Sequence, residues 1–280
     1  MKTRMKLLAV FLMVLSVLLI GCAAALGSAP QTAQPVPTPE NGTPAVISTP
    51  EPEKTPAELD IPKSIAPDLP NTRTVTVKTA DEFLEALDSN VSIRIDSELL
   101  DFSTASGYGE NFGEHYRWVK EFDGPTLEIH DVENLQIIGN GKDKTTLQAV
   151  PRYADVLRFI DCKNLVLADF TAGHLKEAPG SCSGMVLTFR NCSNVSMQRC
   201  GLFGCGVNGI VGERSSHFSI ADTEIYECSQ LGAVLGECSD IVFEDCRVRD
   251  CGMNSISVNG TNGDLLYNGT TLKDGDNFVG

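Results

Sequence analysis

Three columns of apolar residues recur through the second half of the chain at intervals near 23 residues, a pattern that few folds accommodate. In VENLQI, CKNLVL, CSNVSM, SHFSI, CSDIVF and GDLLY an apolar residue follows a polar turn. These residues are Leu135, Leu165, Val195, Phe218, Ile241 and Leu265, separated by 30, 30, 23, 23 and 24 positions. A second column runs Leu157, Leu187, Val211, Leu235 and Val258, and a third runs Leu202, Ile225, Val248 and Leu272. So short a repeat leaves no room for paired helices, and VLRF, VLTF and DIVF alternate as strands do.

Repeats of this kind bury their apolar side chains only by stacking on their neighbours. The expected fold is all-β: a parallel β-helix with three short strands per coil. The columns resemble the right-handed parallel β-helix repeats of the pectate-lyase-like superfamily over residues 126–279, which implies a right-handed solenoid of about six coils. The preceding TVTVKTADEFLEALDS and VSIRI also resemble the start of such domains. Thr79-Ala80-Asp81-Glu82 carries a capping-box pattern, so a helix is expected over residues 80–88. Its Phe83, Leu84 and Leu87 would cover the open end of the first coil, where a bare edge could pair with other chains.

Eight cysteines follow the same period. Cys205, Cys228 and Cys251 lie 23 apart, and Cys200 and Cys246 lie 46 apart with Thr223 between them. Cys162 and Cys192 are 30 apart and Cys238 is 46 further on, with Ser215 or Ser216 at the missing rung. Cysteine is small and apolar enough for an inward position at a tight corner. Zinc sites use converging CxxC pairs or histidines, whereas the spacing here is C-x4-C and stacked thiols form a row at about 4.8 Å. Disulfides within a column are an alternative in an oxidising compartment, although parallel side chains suit a dihedral near ~90° poorly. Buried thiols are the expectation, with disulfides and metal as alternatives. Asn134, Asn164, Asn194 and Asp240 precede the second strand of each repeat, and both residue types accept left-handed backbone.

The chain opens with the basic MKTRMK and the apolar LLAVFLMVLSVLLI, the pattern of a signal peptide over residues 1–21. Leu19-Ile20-Gly21-Cys22 resembles the lipobox of bacterial lipoproteins. That resemblance implies cleavage before Cys22, a lipid on its sulfur, membrane lipid as a partner and the extracytoplasmic face of the cell membrane as the location. Residues 22–72 are rich in Pro, Thr, Ala and Glu and almost lack aromatics, the composition of a disordered tether. Residues 73–280 are long enough for one β-helix domain with its own core. The formal charge of −15 repels phosphate backbones and argues against a nucleic-acid partner.

Repeats of 30 carry insertions, which solenoids extrude as loops. One, TAGHLKEAPGSCSG, holds His174, Glu177 and Cys182, groups able to transfer protons or bind metal. They are the candidate catalytic residues, set against a structural role in which they lock the loop to a neighbouring coil. A turn over residues 178–181 would bring His174 toward Arg190 and Glu213. Glu213 and Glu237, 24 apart, are expected to stack on adjacent coils and are the candidate ligands for calcium, with Asp222, Asp240 or Glu244 nearby. No other cofactor is expected.

Lyases and hydrolases of the resembled superfamily bind polysaccharide in a groove on one sheet. No paired aspartates within a coil are present here, and Arg190, Arg214, Arg247 and Arg249 match no catalytic motif of that group. Trp118 and a few tyrosines are the aromatic candidates for stacking on sugar. These features favour a non-catalytic binding or structural module at the cell surface, with carbohydrate as its ligand class. A carbohydrate-active enzyme, lyase or hydrolase, is the alternative, since fold alone does not decide activity.

Overall fold

The structure, a computed structural model, describes residues 69, 72–175, 183–204, 206–260, 265–273, 275 and 277–279. Cys22, Glu177, Cys182 and Cys205 lie outside the described residues, as do residues 1–68, over which a signal peptide and most of a tether are expected. The chain is an all-β, right-handed parallel β-helix, each coil passing through three sheets in turn. Sheet 1 stacks Arg73–Val77, Val91–Ile95, Glu133–Ile138, Lys163–Ala168, Ser193–Gln198, Ser216–Ala221, Ser239–Glu244 and Leu265–Tyr267 in parallel. Sheet 2 runs from Leu99–Asp101 through Thr146–Ala149, Thr171–His174, Gly201–Phe203 and Glu224–Tyr226 to Arg247–Arg249. Sheet 3 stacks Pro125–His130, Leu157–Ile160, Leu187–Arg190, Asn208–Glu213, Leu231–Gly236 and Met253–Asn259.

The first apolar column is one continuous row of register partners: Leu135, Leu165, Val195, Phe218, Ile241 and Leu265, with Val91 one rung earlier. The second column needs correction. Leu187 faces Ile210, and Val211 faces Val234 rather than Leu235. Inward and outward positions alternate along a strand, so this slip of one residue places Val211 on the outer face. Gly212 holds the inward place beside Leu235, and with no side chain it does not announce itself in an apolar pattern. The third column holds through Leu202, Ile225 and Val248 and extends back through Ala172 and Leu147 to Leu100. Leu272 does not belong to it, because Thr270–Thr271 turns back antiparallel on Leu265–Tyr267. Phenylalanines fill the interior along the axis: Phe159 stacks on Phe189 at 5.2 Å, and Phe189 meets Phe218 edge-on at 5.2 Å.

The ends are managed by antiparallel pairings and one helix. Helix α1 spans Ala80–Ala86, shorter than expected because Leu87 is already extended. Its capping box forms: Thr79 Oγ1 accepts from the Glu82 amide at 3.2 Å, and Glu82 Oε2 accepts from the Thr79 amide at 3.3 Å. Phe83 lies wholly buried against Phe102, ring to ring at 5.4 Å. Tyr116–Lys120 pairs antiparallel with Pro125–His130 at one edge of sheet 3, and Asn277–Val279 pairs antiparallel with Met253–Asn259 at the other. Val279 therefore closes an edge rather than ending a parallel coil. Such closures leave less open strand for association with other chains.

The three cysteine columns mark the three corners of the coil. At most corners a residue with positive φ is followed by Cys, Ser or Thr: Asp161-Cys162, Asn191-Cys192, Arg214-Ser215 and Glu237-Cys238 between sheets 3 and 1; Arg199-Cys200, Asp222-Thr223 and Asp245-Cys246 between sheets 1 and 2; Glu227-Cys228 and Asp250-Cys251 between sheets 2 and 3. Asp131-Val132 and Asp169-Phe170, on the earlier coils, carry an apolar residue instead. Each Cys, Ser or Thr side chain donates back to the carbonyl two residues earlier. The distance is 3.2 Å for Cys162, 3.4 Å for Cys192, 3.3 Å for Cys200 and 2.9 Å for both Ser215 and Thr223. A short side chain with a donor satisfies that carbonyl, and sulfur and hydroxyl both serve; Val132 and Phe170 fill the same position by apolar burial. Ser215, not Ser216, is the missing rung.

Asn134, Asn164, Asn194, His217 and Asp240 form a further left-handed column just inside sheet 1. Their amides link coil to coil: Asn134 Nδ2 donates to Asn90 Oδ1 at 2.7 Å, Asn164 to Asn134 at 2.8 Å and Asn194 to Asn164 at 3.0 Å. Left-handed backbone costs an L-residue about 1–2 kcal/mol, less for Asn and Asp, whose side chains bond locally. Among the described residues, thirteen of the eighteen non-glycine residues with positive φ are Asn or Asp, so the corners are built mainly from residues for which that cost is smallest.

Candidate functional site on the outer face of sheet 3

The insertion residue His174 is wholly buried, and its Nε2 lies 2.7 Å from the Ala154 carbonyl. It ties its strand to the preceding coil and does not approach Arg190. Burial pushes its pKa down, partly opposed by the Ala154 carbonyl, so at neutral pH it is an uncharged ring in the wall of the solenoid. Glu213 faces Arg190 across the sheet, with Arg190 Nε 2.8 Å from Glu213 Oε2. Glu237 is not its neighbour. The register partner of Glu213 is Gly236, because the local repeat is 23 and a spacing of 24 misses by one residue. The expected carboxylate stack is thus absent, and among the described residues no group of three or more His, Cys, Asp or Glu is placed to hold a metal ion. Trp118 is half-buried, its Nε1 donating to Asn111 Oδ1 at 2.7 Å and its ring edge-on to Tyr108 at 4.9 Å.

A different cluster occupies the outer face of sheet 3. One outward row reads Arg117, Glu128, Arg158, Thr188, Val211, Val234 and Ser257, charged at one end and small or apolar beyond. Arg158 is its centre. Nε lies 2.9 Å from Asp155 Oδ2, Nη2 3.1 Å from Glu121 Oε1 and Nη1 3.7 Å from Glu128 Oε2. Arg117 closes on the other Glu128 oxygen. The side chains are largely removed from solvent, at 12% exposure for Arg158, 7% for Asp155 and 5% for Glu128. Burial opposes the charge on Arg158, but Asp155 and Glu121 outweigh it and push the guanidinium pKa up.

Two loops hold aromatic rings beside this cluster. The turn between Tyr116–Lys120 and Pro125–His130 carries Phe122, and the loop before Leu157–Ile160 carries Tyr153. Asp123 joins them: its two oxygens accept from the Arg152 amide at 2.7 Å and the Tyr153 amide at 3.0 Å. The rings of Phe122 and Tyr153 lie 5.0 Å apart and tilted by 53°, exposed to 86% and 39%. Both rings thus project from adjoining loops whose backbones the Asp123 carboxylate joins. None of these residues stood out in the sequence. The signal available was an aromatic in each of two polar turn segments, KEFDGP and VPRYAD.

The cluster is suited to binding more than to proton transfer. Each of its carboxylates already faces a guanidinium or a backbone amide, with Asp155 also accepting from the Met185 amide at 2.9 Å. A general acid or base needs a group poised to exchange a proton with substrate, and here those oxygens are engaged.

No curated protein matches the sequence. Among solved structures, a candidate glycosyl hydrolase from Parabacteroides merdae is similar at 10% identity, covering 56% of this chain and 83% of its own, with a TM-score of 0.35. A family model described as a right-handed beta helix region matches residues 175–277, in agreement with the coils that the structure shows there.

Proposed function

We propose that the chain is a membrane-tethered β-helix lipoprotein, held by lipid on Cys22, that binds polysaccharide on the outer face of sheet 3 without altering it chemically. The observation that carries this reading is the exposed Phe122–Tyr153 pair beside the Arg158 cluster. Flat rings stack on the apolar faces of sugars, and Arg158, paired with Glu121 of one loop and Asp155 of the other, ties together the loops that carry the rings. The chain's formal charge of −15 favours neutral polysaccharides over polyuronates.

One experiment separates the parts of this reading. Full-length Cys22→Ala is expected in the soluble fraction, and to bind neutral polysaccharides in titration calorimetry. Adding Phe122→Ala and Tyr153→Ala should weaken that binding about tenfold or more, since each ring contributes about 0.5–1.5 kcal/mol, with the melting temperature unchanged. Retention of Cys22→Ala on membranes would remove the anchor. Unchanged affinity in the double variant, or binding to no neutral polysaccharide, would remove the site.

A further inference from the structure

Among the described residues, the last cysteine of the corner ladder between sheets 2 and 3 is the exposed one, whereas Cys238 and Cys246, last in the other two ladders, are 1% and 6% exposed. Sheet 2 terminates with Arg247–Arg249, so among the described residues no further rung of that sheet covers Cys251. Cys251 is half-exposed, whereas Cys228, one rung inward, is 2% exposed. The two sulfurs hang from consecutive rungs of one corner. Cys228 Sγ approaches the Tyr226 carbonyl at 3.8 Å and Cys251 Sγ the Arg249 carbonyl at 3.4 Å, and Tyr226 and Arg249 are register partners. The backbones are joined there as well, Gly252 N donating to the Cys228 carbonyl at 2.9 Å. Both residues are thiols, and adjacent rungs at about 4.8 Å lie within the Cα separation that a disulfide bridges.

We propose that Cys251 is a disulfide-exchange site and Cys228 its resolving thiol. The co-reactant is a small disulfide such as oxidised glutathione. The Cys251 thiolate attacks one sulfur, forming a mixed disulfide and expelling one glutathione thiolate. Cys228 then attacks Cys251 Sγ, its proton passing to the departing second glutathione. Two protein thiols and one small disulfide thereby become one protein disulfide and two glutathione thiols, two electrons leaving the protein pair.

The groups facing the attacking sulfur favour its thiolate. The Cys228 thiol donates to it, burial opposes, the Cys228 backbone also favours the anion, and the flanking Asp250 and Arg249 act in opposite directions; the result is a pKa brought down to about 7 from 9.0. A lowered thiol pKa raises the thiolate fraction at neutral pH. Cys162 and Cys192 supply the contrast. They too occupy consecutive rungs of one corner, but both are sealed, at 0% and 1% exposure, with Val132 and Ser215 on the rungs either side. Access, not adjacency alone, distinguishes the two pairs.

The test treats the folded, fully reduced full-length chain with oxidised glutathione and maps each cysteine by mass spectrometry of its peptides. The expected product is a Cys228–Cys251 disulfide, while Cys162 and Cys192 stay reduced. The rate should climb with pH and level off above about 7. Cys228→Ser should instead accumulate the glutathione adduct on Cys251, and Cys251→Ser should leave Cys228 unmodified. A Cys251 that reacts no faster than Cys162, or a Cys228 bridged to Cys205 in its place, would overturn the assignment. So would a Cys228→Ser chain, shown folded by circular dichroism, that forms no adduct.

Discussion

Cys192→Asp is expected to prevent the domain from folding, whereas Cys192→Ser should stay within about 1 kcal/mol of the parent. Cys192 is 1% exposed and its thiol points at two carbonyl oxygens, Arg190 at 3.4 Å and Phe159 at 3.5 Å. A carboxylate there would lose its hydration and face two acceptors without a cation. Burying an unpaired charge costs several kcal/mol even after relaxation, comparable with the whole stability of about 5–15 kcal/mol typical of a domain. Serine is tolerated because the next rung already uses it. Ser215 Oγ reaches the Glu213 carbonyl at 2.9 Å and the Phe189 carbonyl at 3.4 Å, the equivalent two partners. Urea unfolding followed by circular dichroism distinguishes the outcomes; a folded Cys192→Asp chain would show that the corner is wetter than its burial indicates.

Arg158→Ala should cost about 3–5 kcal/mol, the magnitude for removing one partner of a buried ion pair. The loss exceeds that of a surface salt bridge because Asp155 and Glu128 would remain 7% and 5% exposed with their central cation gone. Arg158→Lys should fall between the two. One ammonium replaces three nitrogens that now reach three different carboxylates, so charge is kept while the fork is lost. A cost below about 1 kcal/mol for Arg158→Ala in urea unfolding would place the cluster among ordinary exposed pairs and deprive the face of its rigid frame.

The coils were legible in the sequence where each rung offers a large apolar residue at the same place, as at Leu135, Leu165, Val195, Phe218, Ile241 and Leu265. They were misread where the inward residue has no side chain to display. At Gly212 the neighbouring Val211 took its place in the pattern, and the register slipped by one. The same one-residue error paired Glu213 with Glu237. The end of the third column was lost for a different reason: Leu272 keeps the spacing and is buried, but an antiparallel turn puts it there. Asn134, Asn164 and Asn194 were readable because left-handed backbone narrows the residue choice, while His217 in the same column gave no such cue.

The candidate site was not legible at all. Its residues belong to two separate segments, one a hairpin holding Glu121 and Glu128 and the other a stretch holding Tyr153 to Arg158, and their contacts cross 37 positions of sequence in the case of Arg158 and Glu121. Charged residues on the outer face of a sheet read as ordinary solvated surface until register aligns them. The insertion around His174 drew attention because it breaks the repeat, yet the described part of it is tied down by burial and by one backbone carbonyl.

Hydrogen–deuterium exchange of the full-length chain, with and without a saturating neutral polysaccharide, tests the account most directly. Binding lowers local opening where the ligand sits. Protection is predicted in residues 116–130 and 150–158, the two loops and strands that carry Phe122, Tyr153 and Arg158, with sheets 1 and 2 unchanged. Protection confined to the outer face of sheet 1 or sheet 2, or no difference at all, would contradict it.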